Sequence, residues 1–248
     1  MADLRFQVVG ARAEPYAAVP TLIFTLRIEE GSGQPVQAIA LRCQIQIEPH
    51  RRSHSAQEQA RLLGLFGLPV RWAETVKPFL WSHANLMVNR FSGTTTVELP
   101  MACTYDFEVT AAKYFTALEE GEIPLLLLFS GTVFTSGGSG GPGSAEGTGR
   151  VGPGFMVERV PWEKEAAFRL PVGTWREVMD RYFPGTAWLR LRKESLDALE
   201  RFKAERALPT WDDALAALLA LAGGSKVQAE MQEEVRETAE APAQEVPS

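Results

Sequence analysis

Three histidines, His50, His54 and His83, are the only imidazoles in a chain of 248 residues. Two of them lie in one polar stretch, Glu48-Pro49-His50-Arg51-Arg52-Ser53-His54. Imidazoles beside guanidiniums suit an anion or the acidic side chain of a partner, and with further ligands they suit a metal. The metal reading is weak, because a structural site needs about four rigidly held ligands and Arg51 and Arg52 would repel a cation. No metal and no cofactor is therefore expected. His50, Arg51, Arg52 and His54 read as a solvated loop whose donors are available for a partner contact.

Other candidates for chemistry are sparse. No Gly-x-Ser-x-Gly elbow occurs, and Ser130-Gly131-Thr132 falls inside an apolar run where strand packing explains it. Asp106 and Glu108 alternate on one predicted strand face, about 7 Å apart, a spacing that would suit acid/base work but is common on wet sheet surfaces. The tryptophans are more informative. Trp162 and Trp188 fall at element boundaries, where an aromatic ring with one polar atom often anchors a partner. The glycines between Gly137 and Gly154 lack Gly-Lys-Ser/Thr and a following helix, so they form a flexible loop and not a phosphate cradle.

The elements that must position these residues are mostly strands. Leu4 to Val9 and Leu22 to Ile28 alternate apolar and polar, and after a Gly-Ser-Gly-Gln-Pro turn Ile39, Leu41, Cys43, Ile45 and Ile47 share one face opposite Arg42, Gln44, Gln46 and Glu48. A helical insertion of about residues 55–82 follows, with Leu62, Leu63, Leu65 and Phe66 and then Trp72, Val76, Phe79, Leu80 and Trp81. Strands resume over Thr94 to Leu99 and over Met101 to Val109; Ala112 to Leu118 fits a short helix or a strand continuation. Ile123 to Phe134 reads as a buried central strand paired with Phe155 to Val160 across the Gly-rich loop. From Val172 the period lengthens, and three helices are expected, the last capped by Thr210 with Asp212 and Asp213 in its first turn.

The fold class this predicts is α+β: an antiparallel β-sandwich-like body over residues 1–172, interrupted by the helical insertion and by the loop at 137–154, then a helical segment over 173–222 packed on it. Residues 223–248 are Pro/Ala/Glu-rich and read as a disordered acidic tail. That tail carries six Glu against Lys226 and Arg236, which accounts for most of the formal charge of −6. A body so close to neutral lacks the basic field that nucleic-acid binding requires. No apolar run is long enough to span a bilayer, and Met1-Ala2-Asp3-Leu4-Arg5-Phe6 has neither a basic stretch feeding an apolar one nor a lipidation box, so a cytoplasmic protein is expected. Cys43 and Cys103 fall on apolar strand faces and are expected as reduced core thiols.

Several blocks together resemble a family of uncharacterised bacterial proteins, a domain of unknown function associated with nickel–iron hydrogenase gene clusters. They are Ala40-Leu41-Arg42-Cys43-Gln44-Ile45, Ile47-Glu48-Pro49, Cys103-Thr104-Tyr105-Asp106, Ala112-Lys113-Tyr114-Phe115, Gly121-Glu122-Ile123-Pro124-Leu125, Phe129-Ser130-Gly131-Thr132, Pro161-Trp162 and Leu208-Pro209-Thr210-Trp211. The resemblance implies an accessory part in hydrogenase assembly or hydrogen oxidation, with a hydrogenase subunit or maturation factor as partner, and it transfers no catalytic residue. The absence of Cys-x-x-Cys pairs argues against an iron–sulfur cluster held by this chain. Two expectations of function follow: a non-enzymatic interaction module, or a small-ligand binder or enzyme with histidines converging on Asp106 or Glu108 in a pocket.

Overall fold

The computed structural model describes residues 2–104, 109–136, 155–186 and 190–223. The Gly-rich stretch 137–154, Asp106, Glu108, Trp188 and the acidic tail from residue 224 lie outside them. Eight strands occur among the described residues: β1 (Leu4–Ala13), β2 (Thr21–Glu30), β3 (Val36–Ile47), β4 (Phe79–Val88), β5 (Thr94–Ala102), β6 (Glu122–Ser136), β7 (Phe155–Arg159) and β8 (Glu165–Pro171). They build two antiparallel sheets, one ordered β1-β2-β5 and one ordered β4-β3-β6, in which β7 and β8 pair in succession along the far edge of β6. The fold is α+β.

Alternation of apolar and polar residues dictates which face each strand buries. In β3, Ile39, Leu41, Cys43, Ile45 and Ile47 are buried while Arg42 is exposed. Phe6 of β1 stacks on Phe129 of β6 with ring centroids 4.4 Å apart, and Phe24 of β2 meets Phe168 of β8 edge-on at 6.0 Å. The inner faces of both sheets thus meet in one core, an arrangement worth more than area burial alone because offset and edge-on rings satisfy each other's quadrupoles.

Helices α1 (Ala56–Phe66) and α2 (Trp72–Thr75) occupy the β3–β4 connection, and α3 (Thr110–Ala117) precedes β6. The undecided segment from Ala112 to Leu118 is therefore helical, burying Tyr114 and Phe115. The insertion is shorter than its apolar content suggests: Phe79, Leu80 and Trp81 open strand β4, pairing with the end of β3. A register shift at Ile45/Gln46 breaks the alternation there and makes the strand resemble a helix face. Likewise, β5 is one strand through Pro100, and it ends at Ala102 instead of restarting at Met101.

Helix α4 (Val172–Tyr182) buries Trp175, Val178 and Met179 against the core, and its Tyr182 hydroxyl donates to the Ala17 carbonyl at 2.6 Å. Residues from Arg190 onward form a second compact unit. It contains α5 (Lys193–Glu205) and a helix over 211–223. Thr210 caps that last helix as expected, its hydroxyl accepting from the Asp213 N–H at 3.1 Å while Asp213 accepts from the Thr210 N–H at 3.1 Å.

Candidate interaction surface

The polar stretch from Glu48 to His54 splits into an outer and an inner half. Pro49–Arg51 form a single 3₁₀ turn at the end of β3, which leaves His50 and Arg51 exposed. Arg51 Nε lies 3.2 Å from the nearly buried Glu48 carboxylate, and together with Pro124, Ala167 and Arg169 these two line a cavity of about 360 Å³.

Arg52 and His54 turn inward, contrary to the solvated loop that the sequence suggests. Arg52 pairs with Glu58 and also donates to the Glu120 and Glu122 carbonyls. Glu58 further accepts from the Ser55 N–H at 3.0 Å and the Glu119 N–H at 2.9 Å. Burial pushes the Glu58 carboxyl up, but those N–H donors and the Arg52 charge outweigh it and hold the group below its ordinary value. His54 Nε2 shares a hydrogen bond of 3.1 Å with the Tyr114 hydroxyl and sits edge-on to Trp72. Burial, with Arg52 nearby, lowers the His54 pKa, so the ring is neutral at pH 7. This network ties the start of α1 to α3 and to the entry of β6. Its sequence signal was Ser55-x-x-Glu58, a capping box preceding an apolar helix.

The remaining histidine, His83, is exposed on β4 opposite Gln44, so the described imidazoles occupy three separate settings. Among the described residues no group of three or more His, Cys, Asp and Glu is placed to hold a metal ion. Cys43 and Cys103 are free and buried, and burial pushes each thiol up to about 12.

A different part of the surface stands out once the strands are in register. The connection from β7 to β8 crosses the edge of β6, held by the Val160 N–H donating to Gly131 O at 3.0 Å and the Phe129 N–H donating to Lys164 O at 2.9 Å. Trp162 is at the tip of that turn and is 90% exposed. Just before it, on the outer face of the five-stranded sheet, Val157 (63% exposed) pairs with Phe134, and Arg159 pairs with Thr132. Across β6, Ala40 and Arg42 of β3 pair with Thr132 and Ser130. Met87 of β4, 61% exposed, stands opposite Ala40 and helps line a groove of about 340 Å³ with Arg42 and Asn85. Gly131 packs tightly in this region: with φ at 144° its Cα lies so close to β3 that a Cβ would fall 2.1 Å from the Ala40 carbonyl oxygen.

The molecule is therefore an α+β protein of two antiparallel sheets around one core, with an apolar and arginine-bearing outer sheet face bordered by an exposed tryptophan. It belongs to the family of unknown function DUF6084, whose sequence pattern matches residues 1–227. No curated protein matches the chain. Among solved structures it is similar to a selenomethionine-labelled β-glucosidase from Kluyveromyces marxianus, at 8% identity and a TM-score of 0.22 over 68% of this chain and 15% of that one. The chain thus spans a small part of that enzyme's length, and a likeness this low carries no argument about fold or activity. No described helix is long and apolar enough to cross a membrane.

Proposed function

We propose that this protein is a non-enzymatic accessory module that works in the cytoplasm by binding another protein. The observation that carries the reading is Trp162, a tryptophan 90% exposed at the tip of a backbone-pinned turn. Leaving so large an apolar ring in water forgoes roughly 2 kcal/mol of burial, and an exposed tryptophan on a pinned backbone is the residue type most often found at interface hot spots. The hydrogenase gene neighbourhood implied by the family resemblance makes a hydrogenase subunit or maturation factor the first partner to test.

The competing reading is a small-ligand binder or enzyme. The cavity at Glu48, Arg51 and Arg169 is the feature that favours it, being close to the lower size limit for such sites. It contains none of the three histidines, so the convergence of imidazoles and carboxylates that this reading needs has no support among the described residues. Affinity capture of the full chain from its native host, followed by mass spectrometry, tests the preferred reading. A stoichiometric protein partner whose recovery depends on Trp162 supports it, and a bare monomer overturns it.

A further inference from the structure

We propose that the outer sheet face between β4 and β7 receives an acidic polypeptide segment carrying apolar side chains. The inference rests on the interaction role above and adds the chemistry of the partner. Arg42 and Arg159 lie on the two sides of β6, opposite Ser130 and Thr132 in the register. Both are exposed, and neither forms an ion pair among the described residues. The outward positions around them hold Ala40, Met87, Phe134 and Val157, and the nearest acid on this face is Glu165, opposite Leu128 one outward position further along β6, so the two guanidiniums outnumber it.

Each guanidinium offers a planar fork of N–H donors that matches a carboxylate in two parallel hydrogen bonds. Exposed Met87 on β4 and Val157 on β7 flank the two forks, with Ser130 and Thr132 of β6 between them, and supply the apolar area that a bare charge contact lacks. Two isolated arginines do not make the run of phosphate contacts that nucleic acid requires. Carboxylates alternating with apolar side chains fit both halves of the surface.

The test uses the full chain and a fluorescein-labelled synthetic peptide alternating Glu and Leu, followed by fluorescence anisotropy at low salt. Binding is expected, weakening as sodium chloride is added and falling about tenfold or more in R42E/R159E. R42Q/R159Q is expected to fall between the two, and circular dichroism with melting curves shows that both variants fold. Unchanged binding in R42E/R159E, or no binding by a folded wild-type chain, overturns the inference. So does tighter binding of an oligonucleotide of equal charge. Binding that appears only in a chain ending at Gly223 assigns the face to the protein's own acidic tail. A dimer that dissociates on charge reversal assigns it to a second copy. Either result overturns the proposed partner. Trp162-dependent capture of a native partner that R42E/R159E leaves intact overturns this inference alone, whereas absence of any partner overturns the interaction role.

Discussion

The Arg52 guanidinium lies 2.9 Å from the Glu58 carboxylate, and the two side chains are only 10% and 3% exposed. A charge so enclosed is tolerated because each lone pair has a donor: Arg52, the Ser55 N–H and the Glu119 N–H all address Glu58. The pair fixes the insertion to the body and leaves the outer half of the same loop free.

Removing one partner strands the other in a dry site. Glu58→Ala is expected to cost about 3 kcal/mol, within the range for a broken buried pair. Glu58→Gln should cost less than Ala, since its amide oxygen still accepts from one of the two backbone N–H groups, which address different carboxylate oxygens, and the side chain still fills the site. Denaturant unfolding at pH 7.5 checks both, and an equal loss in the two variants would contradict the assigned bonds.

Acid should weaken the fold in two stages. The His54 pKa is lowered in the folded state, so the unfolded chain binds the extra proton first. Stability then rises with pH below 6.5, the ordinary value, and is lost as pH falls from there toward the folded value. Glu58 is also lowered, and its contribution is present above its ordinary value of 4.5 and lost as pH falls through the folded one. Melting temperatures from pH 7.5 to 5.5 should fall in the wild type and stay flatter in His54→Gln. Parallel curves would assign the effect elsewhere.

Gly131→Ala should destabilise by about 3 kcal/mol or leave the chain unfolded, because the added Cβ meets the Ala40 carbonyl and the backbone conformation disfavours any L side chain. Gly64→Ala is the control, since nothing lies within 4 Å of its Cβ position in α1, and it should stabilise by about 0.5–1 kcal/mol. A mild effect at Gly131 would show that β3 and β6 are farther apart than described.

Neither cysteine should react with a thiol reagent at pH 8 while the protein is folded, because both thiols are buried and their pKa values are pushed up to about 12. Both should react in denaturant. One fast-reacting native thiol would contradict the buried placement.

Much of the β architecture was legible because strands with one wet face write their burial into the sequence. The run from Ile39 to Ile47 shows this, whereas Ile123–Phe134, expected as a buried strand, pairs with the Phe155 segment as expected but leaves Ser130 exposed and Leu126, Leu128 and Phe134 half-buried on its outer face. Strand β4 escaped because an edge strand tolerates polar inward neighbours, and its bulge at Leu80 to Ser82 destroys the period. At the site, Trp162 could be singled out as a boundary aromatic. Arg42 and Arg159 could not, because their meeting across β6 depends on strand order, which no local pattern encodes. Within Glu48 to His54, adjacent Arg51 and Arg52 face different environments, and only the capping box at Ser55 hints at which one is buried.

The interaction role is tested most directly by capturing wild-type protein and Trp162→Ser side by side from the native host, at matched salt and with matched melting temperatures. Quantitative mass spectrometry should recover one protein in stoichiometric amount with the wild type and about tenfold less or lower with the variant. Equal recovery with both, or recovery of the chain alone, would contradict the account.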